Sequence, residues 1–158
     1  MTGYHADAWG GIVYENGNDI IVDRSRFEQA CKELGPGFSK ILSYYRDDGA
    51  RAIQEIERAA RDRNTPCMVR PAHTLKGDSL MVGAEAIGLA AEEIEKAARH
   101  SLEMHDFPDH MVPRVRELSA LFTETMTCFD KLMAERVRVP VAPPVMPRRP
   151  GGFGRKVG

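Results

Sequence analysis

The residue types best suited to chemistry stand in one short stretch, where a histidine precedes a lysine and a glycine. These residues are His73, Lys76 and Gly77. A helix turns about 100° per residue, so all three would share one stripe with Leu80. A neutral imidazole, with an ordinary pKa of about 6.5, is a nucleophile that can take up a phosphoryl group on a ring nitrogen. An ammonium one turn away would stabilise the phosphoryl oxygens, which makes His73 a candidate phosphoacceptor and Lys76 the candidate residue that assists it.

Gly77 has no helical advantage, because a glycine inside a helix costs about 1 kcal/mol relative to alanine. The missing side chain beside His73 would let another protein's active site close over the ring, so that in-line transfer becomes sterically feasible. The opposite stripe of the helix is mostly small and apolar and should face the core. It comprises Ala72, Leu75, Ser79 and Val82. On His73 and Lys76 alone a solvated surface pair is the commoner explanation, but the glycine and this core stripe favour the functional one.

The stretch from His73 to Gly77 is predicted to lie in the third of five helices. Start and stop signals predict them at Ser25–Leu34, 36–61, Pro66–Val82, Ala84–His100 and Phe107–Arg136. Ser25 opens a capping box with Glu28, and Thr65 with Pro66 forms an N-cap and first-turn pair. Pro71 inside the third helix predicts a kink or a restart there.

Each of the last four helices carries a single apolar stripe, and this pattern predicts an all-α, antiparallel, up-down-up-down four-helix bundle capped by the first helix. The predicted core positions outside the third helix are Phe38, Leu42, Tyr45, Gly49, Ile53, Ile56, Ala60, Ile87, Ala90, Ala91, Ile94, Ala97, Ala98, Val115, Leu118, Phe122, Met126, Phe129 and Met133.

The two ends of the chain differ from this middle part. The N-terminal arm, residues 1–24, contains β-branched runs around Asn16-Gly17, which favours either a hairpin with a two-residue turn or an irregular arm. The bundle domain is predicted at 25–136. The tail, residues 137–158, is rich in Pro, Gly and Arg and should be extended. Its cations, Arg148, Arg149, Arg155 and Lys156, could bind an acidic partner or nucleic acid, but the tail has one aromatic residue, Phe153, and no binding motif. A tail that folds back on the bundle or improves solubility is an equally good explanation.

Composition narrows the classes of protein further. With 42% hydrophobic residues, 28% charged residues and a net charge of -1, the chain has no general attraction for nucleic acid. Cys31, Cys67 and Cys128 are odd in number and far apart, which favours buried thiols in a reducing compartment. No signal peptide or membrane-spanning run is recognisable, so we expect a cytoplasmic protein.

A second cluster of polar residues could be read as a metal site. It contains His100, Glu103, His105, Asp106, Asp109 and His110. Spacings of five do not share a helix face and Pro108 interrupts the segment, so polar residues at a helix junction are the favoured explanation and no metal site is predicted.

The pattern His-x-x-Lys-Gly at 73–77, with Gly83 ten residues after the histidine, resembles the signature of histidine phosphotransfer (HPt) domains. The resemblance spans 25–136. The stretches 37–42 (GFSKIL), 71–77 (PAHTLKG) and 152–156 (GFGRK) resemble single-domain HPt proteins of α-proteobacteria, sphingomonads in particular.

This resemblance implies a phosphorelay protein that accepts a phosphoryl group on His73 from a receiver-domain aspartate and passes it to another receiver. Lys76 would stabilise the phosphate, and Gly77 would give the receiver steric access. The implied partners are response-regulator receiver domains and a hybrid or cognate histidine kinase, without nucleic acid or membrane, and the chain would be a monomer. No cofactor is expected in the chain itself, whereas Mg²⁺ is expected in the partner receiver.

One alternative function remains open. The chain has no Gly-rich phosphate loop, so it would be a phosphocarrier and not a kinase. The alternative is a non-catalytic helical adaptor that docks receivers or kinases without phosphotransfer.

Asp78 stands where many HPt proteins carry Ser or Ala. It would either select a receiver with a basic residue or be a solvated surface charge, and we favour the latter.

Overall fold

Helices make up most of the chain that the structure, a computed structural model, describes. The described residues are 19–138 and three short preceding pieces, 5–6, 12–13 and 15–16. The helices are α1 (Arg24–Leu34), α2 (Phe38–Arg61), α3 (Thr65–Val82), α4 (Glu85–Glu103) and α5 (Val112–Arg138). Short 3-10 turns at Gly35–Gly37 and Asp109–Met111 lead into α2 and α5.

Helices α2 to α5 form an antiparallel four-helix bundle. Each packs against its neighbour in sequence, and α2 also packs against α5, which closes the bundle around one core. Helix α1 caps it through Phe27, whose ring stacks on Phe129 at 5.2 Å and meets the edge of Phe38 at 5.1 Å between centroids. The predicted all-α bundle with a capping helix is therefore confirmed.

The predicted core is largely correct. Most of its members are buried, and only the residues at its edges, Leu42, Ala60, Ala97 and Met133, are half-buried. Helix α2 runs unbroken through Gly49, where an added Cβ would lie 2.7 Å from the ring of Phe122. This glycine therefore allows the close approach of α2 and α5.

Helix α1 begins earlier than predicted, and the capping box at Ser25 is wrong. Asp23 is the N-cap, and its Oδ1 accepts a hydrogen bond from the N–H of Arg26 at 3.1 Å. The reason is tertiary: the N–H of Asp23 donates to the carbonyl of Gly83 at 2.9 Å, which fixes the point where the chain turns into the helix. A second backbone bond, from the N–H of Ala86 to the carbonyl of Ile21 at 3.3 Å, holds the same segment.

Helix α3 is capped by Asn64, so Thr65 is not the N-cap. The side chain of Asn64 accepts from the N–H of Cys67, while buried Thr65 donates its hydroxyl to the carbonyl of Asp106 at 3.0 Å. The helix continues through Pro71, and the predicted restart there is wrong because α3 is packed between two neighbours that keep it in one piece. It ends as predicted, with Gly83 left-handed at φ 85°.

The last two helices are shifted relative to the prediction. Helix α4 extends to Glu103, and α5 begins at Val112. The predicted start of this helix at Phe107 is therefore wrong. Phe107 is buried in the α4–α5 connection, and Pro108 and a 3-10 turn separate it from α5. Helix α5 then extends to Arg138, two residues beyond the predicted end.

Near the chain start, two short antiparallel strand pairs are present. β1 (His5–Ala6) pairs with β2 (Ile12–Val13), and β3 (Glu15–Asn16) pairs with β4 (Asp19–Ile20). Asn16 lies opposite Asp19, so it is a strand residue, and the predicted two-residue turn at Asn16-Gly17 is wrong by one position. The rest of the predicted arm (1–4, 7–11, 14, 17–18) and residues 139–158 of the predicted tail lie outside the described residues.

Cys31 and Cys128 are buried as predicted, but Cys67 is exposed because it lies on the outer side of the first turn of α3. None of the described helices combines the length and the apolar composition that a membrane-spanning helix requires.

Candidate functional site

Helix α3 presents two contrasting faces, as the sequence pattern predicts. The residues of its inner stripe, Ala72, Leu75, Ser79 and Val82, are fully buried. The side chain of His73 is 61% exposed, whereas that of Lys76 is only 26% exposed. The imidazole is therefore accessible from solvent, and the ammonium is held against the bundle.

A buried carboxylate on α4 joins these two residues. The side chain of Glu95 is 7% exposed. Its Oε1 accepts a hydrogen bond from Nδ1 of His73 at 2.9 Å, and its Oε2 accepts one from Nζ of Lys76 at 2.7 Å. Arg99, one turn further along α4, donates a hydrogen bond to Oε1 from Nε at 2.9 Å, and its Nη2 lies 2.8 Å from the same oxygen in an ion pair. One carboxylate thus organises three nitrogen-bearing side chains.

These contacts determine the charge state of Glu95. Burial alone would raise its pKa, but the hydrogen bonds from Lys76, Arg99 and His73 outweigh burial and lower the pKa to about 2. Glu95 is therefore ionised at every pH at which the protein is expected to work.

An ionised carboxylate can only accept hydrogen bonds, so a neutral His73 ring must carry its proton on Nδ1. The lone pair then lies on Nε2. Within the described part of the chain, Nε2 has no hydrogen-bond partner. The arrangement thus prepares one particular ring nitrogen as a nucleophile.

Gly77 faces open space. Among the described residues, a Cβ built on it would meet no atom within 4 Å, in contrast to Gly49 in the bundle interior. Packing within this part of the chain therefore does not explain a glycine at this position.

The flank of the site toward α2 contains a pair of carboxylates. Asp78 is half-buried, and burial, together with the charge of Asp48, raises its pKa. Asp78 therefore lies at a partly buried position, and its interpretation as a solvated surface charge stays a prediction. Behind it, the hydroxyl of Tyr45 and Oγ of Ser79 form a buried hydrogen bond of 2.8 Å between α2 and α3.

Two polar residues of the α4–α5 connection form hydrogen bonds with neighbouring residues. Asp109 forms a two-bond ion pair with Arg63, at 2.6 and 3.0 Å, and Asp106 accepts from the N–H of Phe107 at 2.7 Å. Among the described residues, no group of three or more histidine, cysteine, aspartate or glutamate side chains is arranged to hold a metal ion.

Sequence analysis missed Glu95 and Arg99. The spacing of α4 could have indicated Glu95, because this carboxylate lies on the apolar stripe of the helix. It stands four residues after Ala91 and three before Ala98, both of which are fully buried. A charge at such a position is rarely buried without a partner, and its partners here lie on the adjacent helix.

Comparison with known proteins agrees with this fold. The Hpt domain family model matches residues 40–128. The fold is similar to a crystal structure of the HPt domain from the Hpt sensor hybrid histidine kinase of Shewanella, with a TM-score of 0.60 and 16% sequence identity over 73% of this chain and 95% of that one. No curated protein sequence matches.

By fold, the protein is thus an all-α helical bundle of the Hpt type. The chain belongs to the Hpt domain family, whose function is histidine phosphotransfer in a phosphorelay.

Proposed function

We propose that His73 carries the phosphoryl group, accepting it from the aspartyl phosphate of one receiver domain and passing it to the aspartate of another. The observation that carries this proposal is the exposed imidazole whose Nδ1 is held at 2.9 Å by the buried, ionised Glu95. The ring is fixed in orientation and tautomer while its reactive edge stays accessible.

In the transfer step, the Nε2 lone pair attacks the phosphorus in line with the bond to the receiver's aspartate. The new N–P bond forms as the P–O bond breaks, and the aspartate leaves as a carboxylate. The ring keeps its Nδ1 proton and gains positive charge, which Glu95 balances across the hydrogen bond. Transfer to the second receiver is the reverse of this step.

Lys76 and Arg99 supply positive charge beside the phosphoryl group. Both contact Glu95 before transfer, and both are long side chains that can turn toward a phosphoryl group on Nε2. We propose Lys76 as the main phosphate-stabilising residue, since it lies one helical turn from His73 on the same helix.

Gly77 provides access for the receiver. The open space above it supports this role, because a side chain there would project toward an incoming partner and not into the bundle. We propose response-regulator receivers and a hybrid or cognate histidine kinase as partners of a monomeric chain, with Mg²⁺ bound in the receiver and no nucleic acid involved. The resemblance to sphingomonad-type single-domain proteins stays a prediction, as does a cytoplasmic location.

The test is transfer from a labelled, phosphorylated receiver to the full chain in the presence of Mg²⁺. We expect an acid-labile, base-stable adduct that is lost in His73→Gln. His100→Gln is the matched control, because His100 is also exposed and helical and should leave labelling unchanged. Labelling that persists in His73→Gln would end the proposal.

A further inference from the structure

A groove runs along the bundle between α4, α5 and β4, away from His73. It has a volume of about 610 Å³, and no residue of α3 lines it. Its apolar part includes Ile20 and Leu89, each 46% exposed, together with Leu121. An apolar surface of this kind, bordered by charged residues, is typical of a binding surface.

The charges around this groove are mostly negative. Among the described residues that line it, the carboxylates of Glu85, Glu93 and Glu117 are accompanied by a single arginine. The arginine, Arg114, is already paired with two of them, Glu93 at 3.0 Å and Glu117 at 3.4 Å. The groove therefore has a surplus of negative charge and should attract a basic ligand.

Glu85 gives a second, independent indication. Its Oε2 atom is buried, and among the described residues it has no hydrogen-bond partner. A buried acceptor without a donor is unfavourable, so a donor that reaches this end of the groove would gain a charge-assisted hydrogen bond.

The chain itself contains a segment of matching chemistry. Residues 139–158 include Arg148, Arg149, Arg155 and Lys156 with no acidic residue, and Phe153 supplies an aromatic side chain among them. Residues 1–19 have the opposite character, with three acidic residues and no lysine or arginine. Charge complementarity thus selects the C-terminal segment over the N-terminal one.

The segment is also long enough. Arg138 ends α5, and Glu124 lies 14 residues before it, about 21 Å along the helix axis. The ten residues from 139 to 148, rich in proline, span about 31 Å when extended. Arg148 and Arg149 can therefore reach the end of the groove at Glu124, and Arg155 and Lys156, seven and eight residues after Arg148, can reach the end at Glu117.

We propose that the segment Arg148–Lys156 binds in the α4–α5 groove, with its cations on Glu85, Glu93 and Glu117 and Phe153 on the apolar part. Because the groove lies away from α3, this intramolecular contact leaves His73 open to a receiver. The proposal does not depend on the phosphotransfer function.

Zero-length carbodiimide cross-linking of the full chain tests it, since the reagent joins lysine amines to carboxylates in direct contact. Lys156 is the reporter, being the one lysine after Lys131. We expect its cross-links to concentrate on Glu85, Glu93 or Glu117 and to weaken at high salt. In the variant R148Q/R149Q/R155Q, which keeps the reporter, their yield should fall about tenfold.

Leu89→Gln tests the apolar part without removing a carboxylate and should also lower the yield. Met81→Gln is the matched control, because Met81 is 55% exposed on α3 and outside the groove. The proposal would be overturned if Lys156 formed cross-links to distant carboxylates such as Glu55. It would also be overturned if the triple arginine variant gave the same cross-link yield as the wild type. Cross-links of mixed mass between ¹⁵N-labelled and unlabelled chains would overturn it too, because they would place the segment on a second copy.

Discussion

Nδ1 of His73 and Oε1 of Glu95 lie 2.9 Å apart although 22 positions separate the two residues in the chain. This contact exists because α3 and α4 are antiparallel and packed side by side, which brings the middle of one to the middle of the other. The chemistry of the site is therefore a property of a helix pair, and most of the predictions below address that pair and its neighbours.

Replacing Glu95 by Gln should slow phosphotransfer about tenfold to a hundredfold, the effect of losing one charge-assisted hydrogen bond in the transition state. An amide can either donate to or accept from Nδ1, so the ring tautomer is no longer fixed. The measurements are the transfer rate from a phosphorylated receiver and the ¹⁵N shifts of the His73 ring.

Glu92→Gln is the control for this change, because Glu92 pairs with Lys96 at 2.9 Å on the surface of the same helix. It should leave both the rate and the ring shifts as they are. An unchanged rate in Glu95→Gln with an unchanged tautomer would remove Glu95 from the site.

The free energy of unfolding should decrease at low pH because Glu95 becomes protonated. Its pKa in the folded protein is about 2, below the ordinary 4.5, so its contribution is fully present above about pH 5 and is lost as the pH falls toward 2. The full contribution corresponds to about 3 kcal/mol. Urea unfolding of the wild type and Glu95→Gln at pH 6 and pH 3 measures it; a stability difference that is the same at both pH values would contradict this assignment.

Two helical glycines should respond to alanine in opposite ways. Gly77→Ala should stabilise the fold by about 1 kcal/mol, since the new Cβ meets nothing and helix propensity improves. Gly49→Ala should destabilise it by about 1 to 2 kcal/mol, because its Cβ would lie 2.7 Å from the ring of Phe122. Thermal unfolding distinguishes the two.

A large side chain at position 77 should affect receiver docking but not folding. Gly77→Leu should unfold as cooperatively as the wild type while phosphotransfer slows sharply, because the leucine side chain occupies the space that a receiver would use. A transfer rate equal to that of the wild type would refute the steric role of this glycine.

The buried hydrogen bond between Tyr45 and Ser79 should show energetic coupling. Ser79→Ala leaves the Tyr45 hydroxyl buried without its partner and should cost about 1 to 3 kcal/mol. Once Tyr45→Phe has removed that hydroxyl, the same serine substitution should cost much less. A double-mutant cycle measured by urea unfolding gives the coupling, and strictly additive effects would contradict it.

Periodicity correctly predicted the bundle, since burial of one stripe per helix is a local property of sequence. The fully buried stripe of α3, from Ala72 to Val82, is an example. Helix starts were less predictable because they depend on distant partners. Asp23 caps α1 where the chain is bound to Gly83, and Thr65 is drawn inward by the carbonyl of Asp106.

The site was half predictable for the same reason. His73, Lys76 and Gly77 lie within five residues, so a helical wheel places them together. Glu95 and Arg99 join them only once the register between α3 and α4 is known, and no local pattern supplies that register.

The two backbone hydrogen bonds that tie Ile21 and Asp23 to the α3–α4 turn also bear on the order in which the molecule assembles. The donor and acceptor of each bond are about sixty positions apart in the chain, whereas α3 and α4 are neighbours joined by a short turn. Forming the backbone bonds of Ile21 and Asp23 therefore has the larger entropic cost of loop closure. We expect the α3–α4 hairpin to form early and the capping segment to dock late. The amide of Asp23 should accordingly exchange with solvent sooner than the amides in the centre of α3, as the last part to fold becomes the first to open.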